Sequence, residues 1–291
     1  MARKKPLDYQ PKRWEKERLK LEKHLKTMGG VSASEHNLLS IIRRGKQSVF
    51  QWENPYAQRR AEIRKKAEDT WTPLERSIVE KAGRIMSCDN IYITYICFEG
   101  HYQNLAEKKY LLDTSDQACL ELVSISGAAG VTAELFRREG AVCGNERPNF
   151  EYALMKLIAC GNPIPACAAA EPLVRLYRGE PADLAPWAES QETGHYQNCL
   201  RAILSRDEAA LNDALEARIR ERRKHLYPTF IDICAAACVK IGARYGLRCG
   251  LEAVELPRMF LEAENRPMSL PPFYDEVTAL LRERAEGGRE M

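Results

Sequence analysis

No uninterrupted run of about 18 apolar residues occurs in the 291-residue sequence, so no membrane-spanning helix and no membrane partner are expected. A secretory leader is missing as well. Met1-Ala2-Arg3-Lys4-Lys5-Pro6 is positively charged, but the apolar stretch that an export signal needs does not follow it. The expected address is therefore the cytoplasm. Glycine and proline, at 17 and 15, are too few for a collagen-like or low-complexity chain. The motifs His-Glu-X-X-His, Gly-X-Ser-X-Gly and Gly-X-Gly-X-X-Gly do not occur, which removes the commonest zinc-protease, hydrolase and dinucleotide signatures. What is present is ordinary for a folded chain: 45% hydrophobic and 29% charged residues, which argues against disorder. The length allows one large domain or two moderate ones, with a sizeable core and no need of staples.

The formal net charge of +3 hides an asymmetry. Residues 1–76 hold 19 Lys+Arg against 10 Asp+Glu, and residues 77–291 hold 25 against 31. The chain divides into a basic helical head, 1–76, and an acidic helical body, 77–291. A basic head serves either as a nucleic-acid arm or as a solvated helix. Leu21, Leu25 and Met28 share one helical face, which reads as a stripe packing on the body. No zinc-finger spacing or Gly-X-X-Gly clamp supports nucleic acid, which is not favoured as a partner.

Ten cysteines are present, at 88, 97, 119, 143, 160, 167, 199, 234, 238 and 249. Without an export signal, disulfides are not expected, and runs such as Ile233-Cys234-Ala235-Ala236-Ala237-Cys238-Val239 read as helix core. His195 with Cys199, and Cys234 with Cys238, are spaced four apart, which places each pair on one helix face and offers a Cys3His set for zinc. No Cys-X-X-Cys knuckle accompanies it. Reduced, metal-free core thiols are the expectation, with no cofactor.

Start and stop signals for helices recur along the chain. Ser32-Ala33-Ser34-Glu35 and Thr72-Pro73-Leu74-Glu75 are capping boxes, the second with proline at the first helical position. Gly45 is expected to close the helix that Ser32 opens. Further helices are expected over 55–67, 73–87, 89–112 and 115–139, although Ile91-Tyr92-Ile93-Thr94-Tyr95 is strand-like and Gly100 interrupts. Gly127, Ala128, Ala129 and Gly130 suit close helix approach. From 148 the pattern is regular. Asn149 caps a helix that Gly161 ends, a second runs from Ala168 to Leu176 before Gly179, and a third spans 195–205. Asp207 caps the next, Pro228 opens an alanine-rich helix through Tyr245, and a last one starts at Asp275. The fold class is all-α, with antiparallel helix pairs stacked as an irregular bundle or short solenoid.

Nothing in this pattern reads as catalysis, and no catalytic residue is assigned. The many carboxylates read as exposed helix faces, and His225, at a helix C-terminus after Arg220–Lys224, reads as structural; a Cys- or carboxylate-based helical enzyme is a third class that a deep polar pocket would favour. The acidic connection from Glu180 to Thr193 stands out instead. It carries Glu180, Asp183, Trp187, Glu189 and Glu192, an aromatic among carboxylates, which is the composition of a partner surface. The competing reading is that Trp187 packs down on the helices as the lid of a loop.

One resemblance covers residues 150–265. Ala202 to Leu211 and Leu215 to His225 form a helix pair, Ala236 to Leu247 is an alanine-rich helix ending at Gly246, and Val254-Glu255-Leu256-Pro257-Arg258-Met259-Phe260-Leu261 brings a Leu-Pro before another helix. This succession resembles the immunity protein 49 family of bacterial polymorphic-toxin systems. The resemblance implies a cytoplasmic all-α protein that binds and blocks a cognate protein toxin by occlusion, without catalysis. The acidic connection is then the expected toxin-binding face. The alternative is a helical nucleic-acid-associated regulator that uses residues 1–76.

Overall fold

The computed structural model describes residues 7, 10–27, 29–30, 32–50, 57–87, 90–138, 150–183, 185–187, 195–225 and 229–279. The protein is all-α, and no strand occurs among the described residues. The helices are α1 (Lys12–Thr27), α2 (Ala33–Phe50), α3 (Ala57–Arg64), α4 (Pro73–Ser87), α5 (Asn90–Leu112) and α6 (Ala118–Arg138). They continue as α7 (Phe150–Ala159), α8 (Pro172–Tyr177), α9 (Gln197–Leu204), α10 (Glu208–Lys224), α11 (Ile233–Arg244) and α12 (Arg258–Glu262).

Local sequence explains most of these limits. At α2 the Ser32 N–H donates to Glu35 at 2.8 Å, and the Glu35 N–H donates to the Ser32 hydroxyl at 3.1 Å. Thr72 and Glu75 reciprocate in the same way before α4, at 2.9 and 3.2 Å. Each pair satisfies two of the amide groups that a helix start leaves open. Asp207 caps α10 by accepting the Ala210 N–H at 2.9 Å. Three expected limits are displaced. α2 continues through Gly45, since a lone glycine lowers helix stability without stopping a well-capped helix. The span expected as one helix from Ala168 breaks into a single 3-10 turn, Ala166–Ala168, and α8, because Pro172 has no N–H to continue a ladder and fits the first turn of a new helix. α11 starts at Ile233, beyond Pro228, because Asp232 is the cap: its carboxylate accepts the Ala235 N–H at 3.0 Å. Asn149 lies outside the described residues.

The centre is an antiparallel trio, α5, α6 and α7. Ser126 donates to the Glu99 carbonyl while Cys119 contacts the Ala106 carbonyl, so α5 and α6 run in opposite directions. The small residues of α6 let both neighbours approach. A β-carbon on Gly130 would lie 2.7 Å from that of Ala153 on α7 and 2.9 Å from the Glu99 carboxyl carbon on α5. The strand-like Ile91–Tyr95 stretch is helical, with Tyr92, Tyr95 and Phe98 buried on the α6 side. Burial of three rings at helical spacing overrides a local β preference. α6 is long and apolar enough by composition to cross a membrane, although Glu121, Ser124 and Thr132 interrupt its apolar run. Most of its length is buried between α5 and α7.

α11 packs on α7, α9 pairs with α10, and α2 lies on α5. The basic head is tied into this body. Trp14 of α1 is 2% exposed and meets Tyr110 and Phe230 edge-on, with ring centroids 6.1 and 5.2 Å away. Of the stripe expected there, Leu21 packs on the core and Leu25 is half-buried, while Met28 lies outside the described residues. Arg13 donates to the His225 carbonyl, and Arg223 reaches the Leu7 carbonyl at 2.8 Å. The outward face of α1 pairs its own charges, Arg18 with Glu15 and Lys20 with Glu17.

Candidate functional site

The acidic connection begins where α8 stops. Gly179 takes a left-handed conformation, φ 76°, and the next amide, that of Glu180, folds back on the Arg175 carbonyl at 2.9 Å. Glu180 and Asp183 are both exposed. Glu180 stands 3.9 Å from Arg175, a loose surface pair. Asp183 accepts the Ala185 N–H at 3.0 Å and so starts a single 3-10 turn, Ala185–Trp187. That turn drives Trp187 inward. The indole is 1% exposed, belongs to the main core, and donates from Nε1 to Glu151 of α7 at 2.9 Å. Trp187 is therefore not an exposed aromatic anchor: it is the lid of the loop, since burying its apolar area while pairing its one donor is the more stable placement. Glu189 and Glu192 lie outside the described residues. The described part of the candidate site is thus two outward carboxylates on a loop pinned from beneath.

Below the lid lies a polar seam that no local motif announces. Burial raises the Glu151 carboxyl above its usual range, against the hydrogen bonds from Trp187 and Tyr196 that favour its charge. On the same helix, Lys156 is 1% exposed and pairs with Glu99 of α5 at 2.8 Å. Its ammonium also sits 4.4 Å from the Tyr152 ring centroid. The Tyr152 hydroxyl accepts from Gln103, which also reaches Glu107 at 3.2 Å. Burial pushes the Glu107 carboxyl up to about 7, although Gln103, the Phe230 N–H and the nearby Arg222 charge oppose this. Across the seam, Arg218 of α10 and Asp232 are both buried and paired at 2.9 Å. These residues come chiefly from three helices, α5, α7 and α10, and the cap of α11. Their spacing along the chain resembles that of solvent-facing helical charges, so only their convergence in space reveals them.

The thiols follow the apolar reading in part. Cys119, Cys160, Cys199, Cys234 and Cys238 are buried, Cys97 and Cys249 are half-buried, and Cys167 is exposed. Cys88 and Cys143 lie outside the described residues. Burial pushes Cys119, Cys160 and Cys234 up to about 12, which keeps them as unreactive thiols at neutral pH. The neighbouring Cys199 thiol and burial raise Cys238 well above its usual range. Among the described residues, no three His, Cys, Asp or Glu side chains are placed to hold a metal ion.

Comparison with known proteins gives no match: no family model, no curated protein and no solved structure is significantly similar to the chain.

Proposed function

We propose that the protein is a cytoplasmic immunity protein that binds a cognate bacterial protein toxin and neutralises it by occlusion. The reading draws on the sequence resemblance over residues 150–265. The structural observation that supports it best is the pinned acidic loop. Glu180 and Asp183 point to solvent, while the Trp187 indole fixes the loop to α7. A charged surface held in this way loses little freedom on binding, and its charge speeds encounter with a basic partner. Occlusion needs no catalytic group, and the two outward carboxylates of the loop are the groups this reading uses.

A toxin-like open reading frame beside this gene would support the reading, and its C-terminal domain would supply the test ligand. Titration of that domain into the protein is expected to give a tight complex. Changing the loop charges in a Glu180→Lys/Asp183→Asn variant, which keeps an acceptor for the Ala185 N–H, is expected to slow association, more so at low salt, with an unchanged melting temperature. Unaltered association kinetics in that variant would remove the loop from the binding face. Trp187→Ala behaves differently under this reading. It should destabilise the protein by about 3–5 kcal/mol, as large-to-small changes at buried aromatics do, and weaken binding as the loop loosens.

A further inference from the structure

A second surface, on the side where the chain after α12 passes the end of α7, has the opposite charge. Gly161 ends α7 in a left-handed conformation, φ 68°, and the Ala263 carbonyl sits where a β-carbon would be, 2.4 Å away. That close crossing forms the back of a cleft of about 930 Å³, walled by the end of α8, one face of α11 and residues 263–267. Four of its lining residues are cationic, Arg178, Lys240, Arg244 and Arg266, and Glu264 is the one carboxylate among them. Among the described residues, no carboxylate lies within 4 Å of the Arg178, Arg244 or Arg266 guanidinium groups to neutralise them. Arg244 is already oriented: its guanidinium lies 4.0 Å over the Tyr177 ring and donates to the Tyr177 hydroxyl at 3.0 Å. Lys240 donates to the Ala159 and Ala263 carbonyls at the base, and burial pushes its ammonium down to about 8. Such a concentration of one sign in a concavity is unfavourable unless something covers it, and it focuses the field onto an anion.

We infer that this cleft binds a phosphate-rich small anion of nucleotide size. The volume falls in the range of small-molecule sites, and Ile164, Val239 and Leu261 give an organic body an apolar wall. Planar guanidinium groups take phosphate oxygens in pairs, and a net charge of about three within one cleft suits a polyphosphate better than the spaced carboxylates of a peptide. The inference is independent of the acidic loop and of toxin binding.

Calorimetric titration of the full chain with ATP at physiological salt tests it. Saturable one-to-one binding is expected, weakened about tenfold or more in Arg178→Gln and abolished in Arg178→Glu/Arg266→Glu, since each of these guanidinium groups supplies a charge-assisted contact. Arg258→Glu, on α12 and outside the cleft lining, should bind as the parent does. Circular dichroism and melting temperature of every variant establish that it is folded, and Arg178→Gln, at an exposed position, tests the site alone if the double variant is not. Absence of saturable binding, or equal binding by parent and Arg178→Gln, would overturn the inference. So would a hexaglutamate peptide that competes as well as ATP, which would assign the cleft to an acidic protein segment.

Discussion

Glu107 shows what a single buried group does to the pH response of the whole protein. Its carboxyl rises from an ordinary 4.5 to about 7 because burial disfavours its charge. The folded state therefore holds its proton more tightly than the unfolded state does. The stabilising contribution of the protonated group is complete below about pH 4.5, declines as pH rises, and is gone above about 7. Glu107→Gln keeps an acceptor for the Phe230 N–H and removes the titration. Its melting temperature is expected to exceed that of the parent at pH 8 and to match it near pH 5; equal curves at both would show that the carboxyl is not enclosed. Trp187 shows the limit of reading residues singly. An aromatic among acids fits both an anchor and a lid, and what decided between them was a donor–acceptor pair with Glu151, 36 positions away. Glu99, Glu107, Lys156 and Arg218 were hidden for the same reason. A charged residue at helical spacing looks solvent-facing until its partner on another helix is known.

Elements were far more legible, because their limits are set by neighbours in sequence. The reciprocal bonds of Ser32 with Glu35 and of Thr72 with Glu75, and the Asp207 cap, are local chemistry. The limits that moved did so for local reasons as well: Gly45 does not stop a well-capped α2, Pro172 opens a new helix, and Asp232 rather than Pro228 sets the start of α11. At α6 the meaning of small residues is specific. Gly130 is the point at which α5 and α7 both touch α6, so a methyl group there has no free direction. Gly130→Ala is expected to cost about 1–3 kcal/mol despite alanine's better helix propensity, whereas Gly100→Ala, open on α5, should stabilise by up to about 1 kcal/mol. Chemical denaturation of the pair measures both, and a stabilising Gly130→Ala would mean that the three helices pack less closely.

For the molecule as a whole, α1 of the basic head packs on the folded body. Trp14 fills the space between Tyr110 and Phe230, so Trp14→Ala should cost about 3–5 kcal/mol and lower the single melting transition without splitting it. A separate early transition would instead mark the head as independent. The attachments of this segment also span almost the entire chain, since Arg13 bonds to His225 and Arg223 to Leu7. A ribosome adds roughly 5–20 residues per second, so about 10–40 s separate the synthesis of α1 from that of its docking site. Until Phe230 is made, the Trp14 side chain has only the Tyr110 half of its native contact. α1 is thus among the last helices to be fully seated, and the nascent protein spends that time with the Trp14 indole within reach of chaperones.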